Sequence, residues 1–325
     1  MTASEKLELS VYDPLLREIE LPLRAAVHPL GFSLHLATNS RDVIQAAQEA
    51  WNAYGPAYAR QPLEIRMIVQ AEGALADEPP VFRSQGNLFS VVYDRHNFGV
   101  CESTSLEGYC FISRKTASDH VRLRLHFLEA MTYMLLAQRH AVPLHAAAVA
   151  RGGAGFLLCG PSGAGKSSLA YACARAGWTF VSDDATWLPA HAGGRTAVGR
   201  PRHARFREDA PRLFPELARY AAGQRPNGKI TIEAPIADFP TLRTGVHCTA
   251  DHLILLDRRP CAPRLIPLST AEVIAGLLAD MPAYGERVRE LYERTLGRLT
   301  GASAWRLEYE TLEQGLKLLA EIETR

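Results

Sequence analysis

The residues best suited to chemistry lie in one short run, Gly160-Pro161-Ser162-Gly163-Ala164-Gly165-Lys166-Ser167, followed by Ser168. The run fits G-x-x-x-x-G-K-[ST] at every defined position. Glycines at those places let the backbone bend so that successive N–H groups point at one centre, and such a nest holds an anion. A helix beginning at Lys166 adds unpaired amides and the positive end of its dipole at the same point. Lys166 brings a point charge for phosphate oxygens, and Ser167 a hydroxyl able to ligate Mg2+. The pattern predicts a nucleotide gripped by its phosphates. A glycine-rich turn that merely spells the motif is the competing reading. The apolar strand expected before the run (Phe156, Leu157, Leu158, Cys159) and the helix expected after it weigh against that reading.

Acidic partners come from two places. Asp183-Asp184 directly follows a short apolar strand, and Asp257 closes the apolar run at 252–257. Neighbouring aspartates repel each other unless a cation or donors stand between them. The doublet is therefore the favoured site, with Asp183 as base and Asp184 as metal ligand. A turn or helix-capping pair is the alternative. For Asp257, the following Arg258-Arg259-Pro260 makes a plain turn an equal explanation. His145 lies upstream in an apolar segment, where a histidine is more often a satisfied core residue. Downstream, arginines crowd residues 195–225. Arg200 and Arg202 are the expected phosphate or substrate contacts, with Lys229 at the start of a later strand. A solvated cationic face explains most of the stretch equally well.

These residues need elements to position them. Apolar runs around Gly152-Gly153, at 142–150 and 155–159, predict a β-hairpin leading into the loop. A helix is expected over 166–176 with Gly177 just past its end, then a strand at 178–182. Further strands are expected at 229–233, 252–257 and 305–309, with helices near 269–279 and 285–298 and a final amphipathic helix carrying Leu312, Leu316 and Leu319. Residues 142–325 thus read as an α/β domain with a mixed sheet. Residues 1–118 read as a small α+β domain for docking or oligomerisation. It has strands at 32–37 and 63–70, a helix capped within 39–42 and running to about Tyr54, a loop at 73–80, and an antiparallel meander from Phe82 to Ser113. Between them, 119–141 reads as a bridging helix with Val121, Leu125, Leu128, Met131 and Leu135 at helical spacing.

The composition excludes several classes. A formal charge of +1 in 325 residues argues against nucleic-acid or membrane-surface binding. Six cysteines without metal-ligand spacing read as reduced thiols. Met1 to Leu9 carries Glu5, Lys6 and Glu8 and no apolar core, so no signal peptide is expected and a cytoplasmic location is.

Leu144-His145-Ala146, the loop at 160–167, and Val181-Ser182-Asp183-Asp184 together resemble the catalytic core of HPr kinase/phosphorylase and its relatives. The specific likeness covers about 143–188, with element order alone continuing to Asp257. As a whole the chain looks most similar to the HPr-kinase-related kinase A group and to kinases of lasso-peptide precursors. The resemblance implies a P-loop kinase domain with a mixed sheet like that of the phosphoenolpyruvate carboxykinase superfamily. It also implies ATP, Mg2+ and a seryl hydroxyl on a peptide or protein. Under it, His145 sits beside the γ-phosphate, Lys166 and Ser167 hold phosphate and metal, and Asp183 and Asp184 do the acid–base and metal work. The family's second signature, Glu-x-Arg-Gly-Leu-Gly, is missing, and Gly199-Arg200-Pro201-Arg202 is a poor substitute. HPr as acceptor, and reverse phosphorolysis, are therefore not expected. A small-molecule kinase and an ATPase or nucleotide-gated interaction module stay open beside the serine kinase, and the oligomeric state is not specified.

Overall fold

The computed structural model of the protein describes residues 19–71, 73, 80–224, 229–282 and 285–322. Most of the loop expected at 73–80 lies outside these residues, as do Arg225 and Met1 to Leu9. The chain divides into two compact units, Met1–Arg139 with Pro226–Gly228 and His140–Arg225 with Lys229–Arg325. Both are mixtures of helix and sheet. No helix among the described residues is long and apolar enough to cross a membrane.

The first unit contains β1 (Leu23–Val27), β2 (Phe32–Thr38), helix α1 (Arg41–Trp51), β3 (Tyr58–Gln70), β4 (Val81–Gln85), β5 (Leu88–Val92), β6 (Phe98–Glu102), β7 (Glu107–Ser113) and helix α2 (Glu129–Arg139). The sheet runs β1-β2-β3-β7-β6-β5-β4. It is parallel where β3 meets β2 and β7, and antiparallel elsewhere. In β3, the alternation seen in the sequence buries Leu63, Ile65 and Met67. Two local expectations are corrected. Ser40 stands at the N-cap of α1 but its side chain makes no capping bond. The Asn39 amide bonds instead to both backbone groups of Val69, at 3.0 and 2.8 Å, tying the helix entry to β3. The helix expected over 119–141 contains a π-helical turn at Leu123–Leu128 before α2. Its wider turn suits the buried pair Arg124–Glu129, five residues apart and 3.0 Å from each other. The same turn shifts the apolar stripe: Val121 is 58% exposed, while Leu123 and Phe127 are buried.

The second unit holds the loop. Its elements are β8 (Ala141–Leu144), β9 (Ala147–Arg151), β10 (Ala154–Cys159), α3 (Lys166–Arg175), β11 (Thr179–Ser182), β12 (Thr186–Pro189), β13 (Thr196–Val198) and β14 (His203–Phe206). There follow β15 (Ala222–Gln224), β16 (Ile230–Pro235), β17 (Arg243–Thr244), β18 (His247–Arg258), β19 (Arg264–Leu268), α4 (Thr270–Ala279), α5 (Glu286–Leu296), β20 (Ser303–Tyr309) and α6 (Leu312–Ile322). β10 lies parallel to β18, which lies parallel to β20. On the other side of β10, β9 and β11 add antiparallel. The first half of β18 turns away to pair with β13, followed by β12 and β8. A separate antiparallel sheet runs β14-β16-β15.

Both faces of the central strands are buried, which explains the unbroken apolar runs. In β10, Phe156 and Leu158 enter one core with α3 and α6, while Leu157 and Cys159 enter the other with α4 and α5. The apolar segment at 142–150 is not one strand. β8 pairs with β12, β9 pairs with β10 and β11, and His145 sits in the break. A single ladder cannot serve partners in two directions, so the chain steps between them. The Thr186 hydroxyl holds that step by donating to the Ala146 carbonyl at 2.8 Å.

Candidate functional site

The loop 160–165 leaves the end of β10 and feeds directly into α3, at the carboxyl ends of the parallel strands β10, β18 and β20. Gly160, Gly163 and Gly165 have φ of 146, 93 and 93°, a region closed to most side chains. Gly165 is the N-cap of α3, and a Cβ there would stand 3.2 Å from the Tyr309 hydroxyl. At the other end of α3, the N–H groups of Gly177 and Trp178 bond to the carbonyls of Ala174 and Cys173, at 3.0 and 3.1 Å, the expected helix stop. A helix so anchored aims its free amides at the loop.

Lys166 lies under the loop, 5% exposed, and its ammonium donates to the carbonyls of Gly160 and Pro161 at 2.7 and 3.1 Å. Burial lowers its pKa, with Asp184 opposing the shift. Two more cations close on the same loop. Lys229 Nζ donates to Ser162 Oγ at 3.3 Å. Arg207 Nη2 stands 2.6 Å from the place a Gly163 Cβ would occupy. A set of cations around a glycine-rich turn at a helix N-terminus fits a polyanion.

The aspartate doublet lies beside the first turn of α3, where the loop ends. The Ser167 hydroxyl donates to the Asp183 carbonyl at 3.2 Å. Asp183 is 2% exposed, and its Oδ2 accepts the Arg205 backbone N–H at 2.6 Å. Burial raises its pKa to about 6, aided by the charge of Asp184 and opposed by Arg205 and Arg200. Asp184 differs: its side chain is 46% exposed and its Oδ1 lies 3.1 Å from His145 Nε2. That bond, then the nearby His145, Arg205 and Lys166, holds its pKa down at about 2. Two adjacent carboxylates thus have proton affinities far apart, which is the pattern of paired acid–base and electrostatic roles.

Among the described residues no three His, Cys, Asp or Glu side chains form a ready-made metal cage. Magnesium ordinarily takes one or two carboxylates and completes its shell with phosphate and water. Asp184, ionised and half-exposed, and Ser167 in the first turn of α3 have donors of the right kind.

The other expected residues fall as follows. His145 is brought to the doublet from the break between β8 and β9. Ser168 lies in the first turn of α3, partly exposed. Arg200 is near enough to Asp183 to act on its charge. Arg202 contributes its backbone carbonyl to the Ile236 N–H at 2.8 Å. Asp257 pairs with Arg259 at 3.3 Å, opposite Glu308 in β20. Two further arginines meet the loop and the doublet, Arg207 at Gly163 and Arg205 through its backbone N–H to Asp183. Both stand in the crowded basic stretch of sequence, where nothing local distinguishes them. Tyr309 and Arg258, against Gly165, carry no sequence signal either.

A family model described as "SynChlorMet cassette protein ScmC" matches residues 109–209, a span that holds His145, the loop, the doublet and Arg207. No curated protein matches the chain. The solved structure of the Hpr(Ser) kinase/phosphatase from Coxiella burnetii is similar at 13% identity, covering 56% of this chain and 97% of that one, with a TM-score of 0.29. So low a score carries no argument about this chain.

Proposed function

We propose that the second unit is a P-loop kinase domain that uses ATP and Mg2+ to phosphorylate a seryl hydroxyl of a peptide or protein. The observation that carries this reading is the buried Lys166 ammonium, bonded to two carbonyls of the glycine-rich loop, with Arg207 and Lys229 over the same loop. Such a site is complementary to a triphosphate. ATP would supply a γ-phosphoryl group that passes to the acceptor oxygen as ADP leaves, with Mg2+ shielding the oxygens.

The chain's own residues divide the remaining work. The loop amides and Lys166 bind and orient phosphate, so that the reacting oxygens stay aligned. Asp183, with its pKa near 6, takes the proton of the acceptor hydroxyl, because a base works best when its pKa approaches the working pH. Asp184, ionised down to about pH 2, suits the metal, which needs a deprotonated ligand. His145 positions Asp184. These proton affinities support Asp183 as base and Asp184 as metal ligand. The exposed edge strand β4 of the first unit supports strand addition by an extended acceptor.

The matching family is described as a cassette protein. On that wording, the acceptors to try first are peptides encoded beside this gene. The test is incubation with γ-labelled ATP, Mg2+ and those peptides, read by mass spectrometry. A phosphoryl mass gain on serine supports the proposal. Label on a metabolite instead makes the chain a small-molecule kinase, and free phosphate alone makes it an ATPase. No nucleotide binding at all ends the proposal.

A further inference from the structure

We propose that Arg207 is a catalytic residue: its guanidinium binds the terminal phosphate of the nucleotide and neutralises the charge that spreads over it during transfer. The inference rests on the nucleotide reading above and assigns a role that neither the loop motif nor the acid doublet supplies. Three observations carry it.

First, the guanidinium lies on the loop itself. Its Nη2, Cζ and Nη1 are 2.6, 3.3 and 3.6 Å from where a Gly163 Cβ would stand, so the side chain occupies space left open by glycine. Second, the backbone around Arg207 is pinned. β14 pairs with β16 from His203↔Pro235 to Phe206↔Ile232, Phe206 is buried, and the Arg205 N–H holds the Asp183 carboxylate at 2.6 Å. Just beyond, the Arg207 carbonyl accepts from the Ala210 N–H at 3.1 Å. One short strand therefore fixes the aspartate doublet and Arg207 in a common frame. Third, Arg207 has no carboxylate partner among the described residues. Its neighbours do: Arg195 pairs with Asp251, Arg205 with Glu233, and Arg219 with Asp238. An arginine held against an anion nest without a counter-charge is placed to take the anion's charge.

The chemistry suits the residue type. A guanidinium offers two parallel N–H donors to two phosphate oxygens, a geometry that an ammonium cannot match. Lys166 approaches from beneath the loop, so Arg207 supplies the second cation from another side.

The test uses the full chain as wild type, Arg207→Ala and Arg207→Lys, with calorimetric titration of ADP and of the non-hydrolysable β,γ-imido analogue of ATP. Arg207→Ala is expected to weaken the triphosphate analogue roughly tenfold to a hundredfold, the worth of charge-assisted bonds, and to leave ADP unchanged. Turnover, including slow hydrolysis without acceptor, is expected to fall on the order of a thousandfold in kcat, with KM for ATP rising in step with the weakened analogue. Arg207→Lys is expected to recover charge but not the fork, and so to fall between the two. Melting temperature checks that each variant is folded. Equal weakening of ADP and analogue, or no change in either, overturns the role of Arg207 while leaving the nucleotide site standing. A wild-type protein that binds neither ligand overturns the nucleotide reading, and this inference with it.

Discussion

Replacing Asp183 with asparagine separates stability from chemistry at this site. Asp183 is 2% exposed, and its pKa stands at about 6 against an ordinary 3.8. A gap of about 2 units is worth about 3 kcal/mol at ~1.36 kcal/mol per unit. The sign follows from the direction. The folded pKa is raised, so between about pH 4 and pH 6 the native chain keeps a proton that the unfolded chain has lost. Stability therefore falls as pH rises through that window, and the full cost of the buried charge is present above it. Asp183→Asn keeps an oxygen for the Arg205 N–H and removes the charge. It is expected to stabilise the protein at pH 8 by up to about 3 kcal/mol, about half of that at pH 5, and only about 0.5 kcal/mol at pH 4. For a unit of this size, the gain at pH 8 corresponds to a rise in Tm on the order of 6–12 °C. Asp184 has the opposite shift, so its contribution is lost only as pH falls through about 2. Its side chain is 46% exposed, so solvent screens it, and it stays constant across the window tested. Denaturant titrations of both proteins at pH 4, 5 and 8 measure the effect. The same variant should lose phosphoryl transfer while calorimetry shows nucleotide affinity kept. An asparagine variant less stable than wild type at pH 8, or a gain independent of pH, would refute the argument. Loss of nucleotide binding would remove Asp183 from the role of base.

Three further substitutions probe other parts of the site. Lys166→Ala takes away the charge beneath the loop and is expected to cost a hundredfold or so in turnover; near-normal steady-state activity would contradict the phosphate role. His145→Ala frees Asp184, whose pKa should move up from about 2 toward its ordinary value. The Mg2+ dependence of turnover should then shift by roughly 10- to 100-fold, and an unchanged metal titration would show that His145 does not position this carboxylate. Gly165→Ala puts a side chain at φ 93° and 3.2 Å from the Tyr309 hydroxyl. It is expected to lose about 1–3 kcal/mol of stability by denaturant titration together with nucleotide affinity. A variant that melts and binds like wild type would show that the loop does not need this conformation.

Much of the second unit is legible in the order of its residues. The strand–loop–helix around 156–175 is readable because apolar runs, glycines and a helix stop are local signals, and α3 begins and ends where they place it. The strands β12 to β15, β17 and β19 are not, because they are short and all but β15, which pairs with the next strand, owe their existence to partners distant in sequence. The segment at 142–150 misleads for the same reason. Its apolar pattern is continuous, but its two halves bond to different neighbours.

The amino-acid order by itself determined that a glycine turn would join strand to helix at 160–167 and that two acids would follow the next strand. Spacing along one chain is enough for a motif whose parts are bound to each other by adjacent backbone. Only the tertiary structure decided which acid is buried, which meets His145, and which arginine rests on the loop. Proton affinity depends on the solvent and charges that surround a group, and those are brought by β8, β14 and β16, strands that are remote in sequence and near only in space.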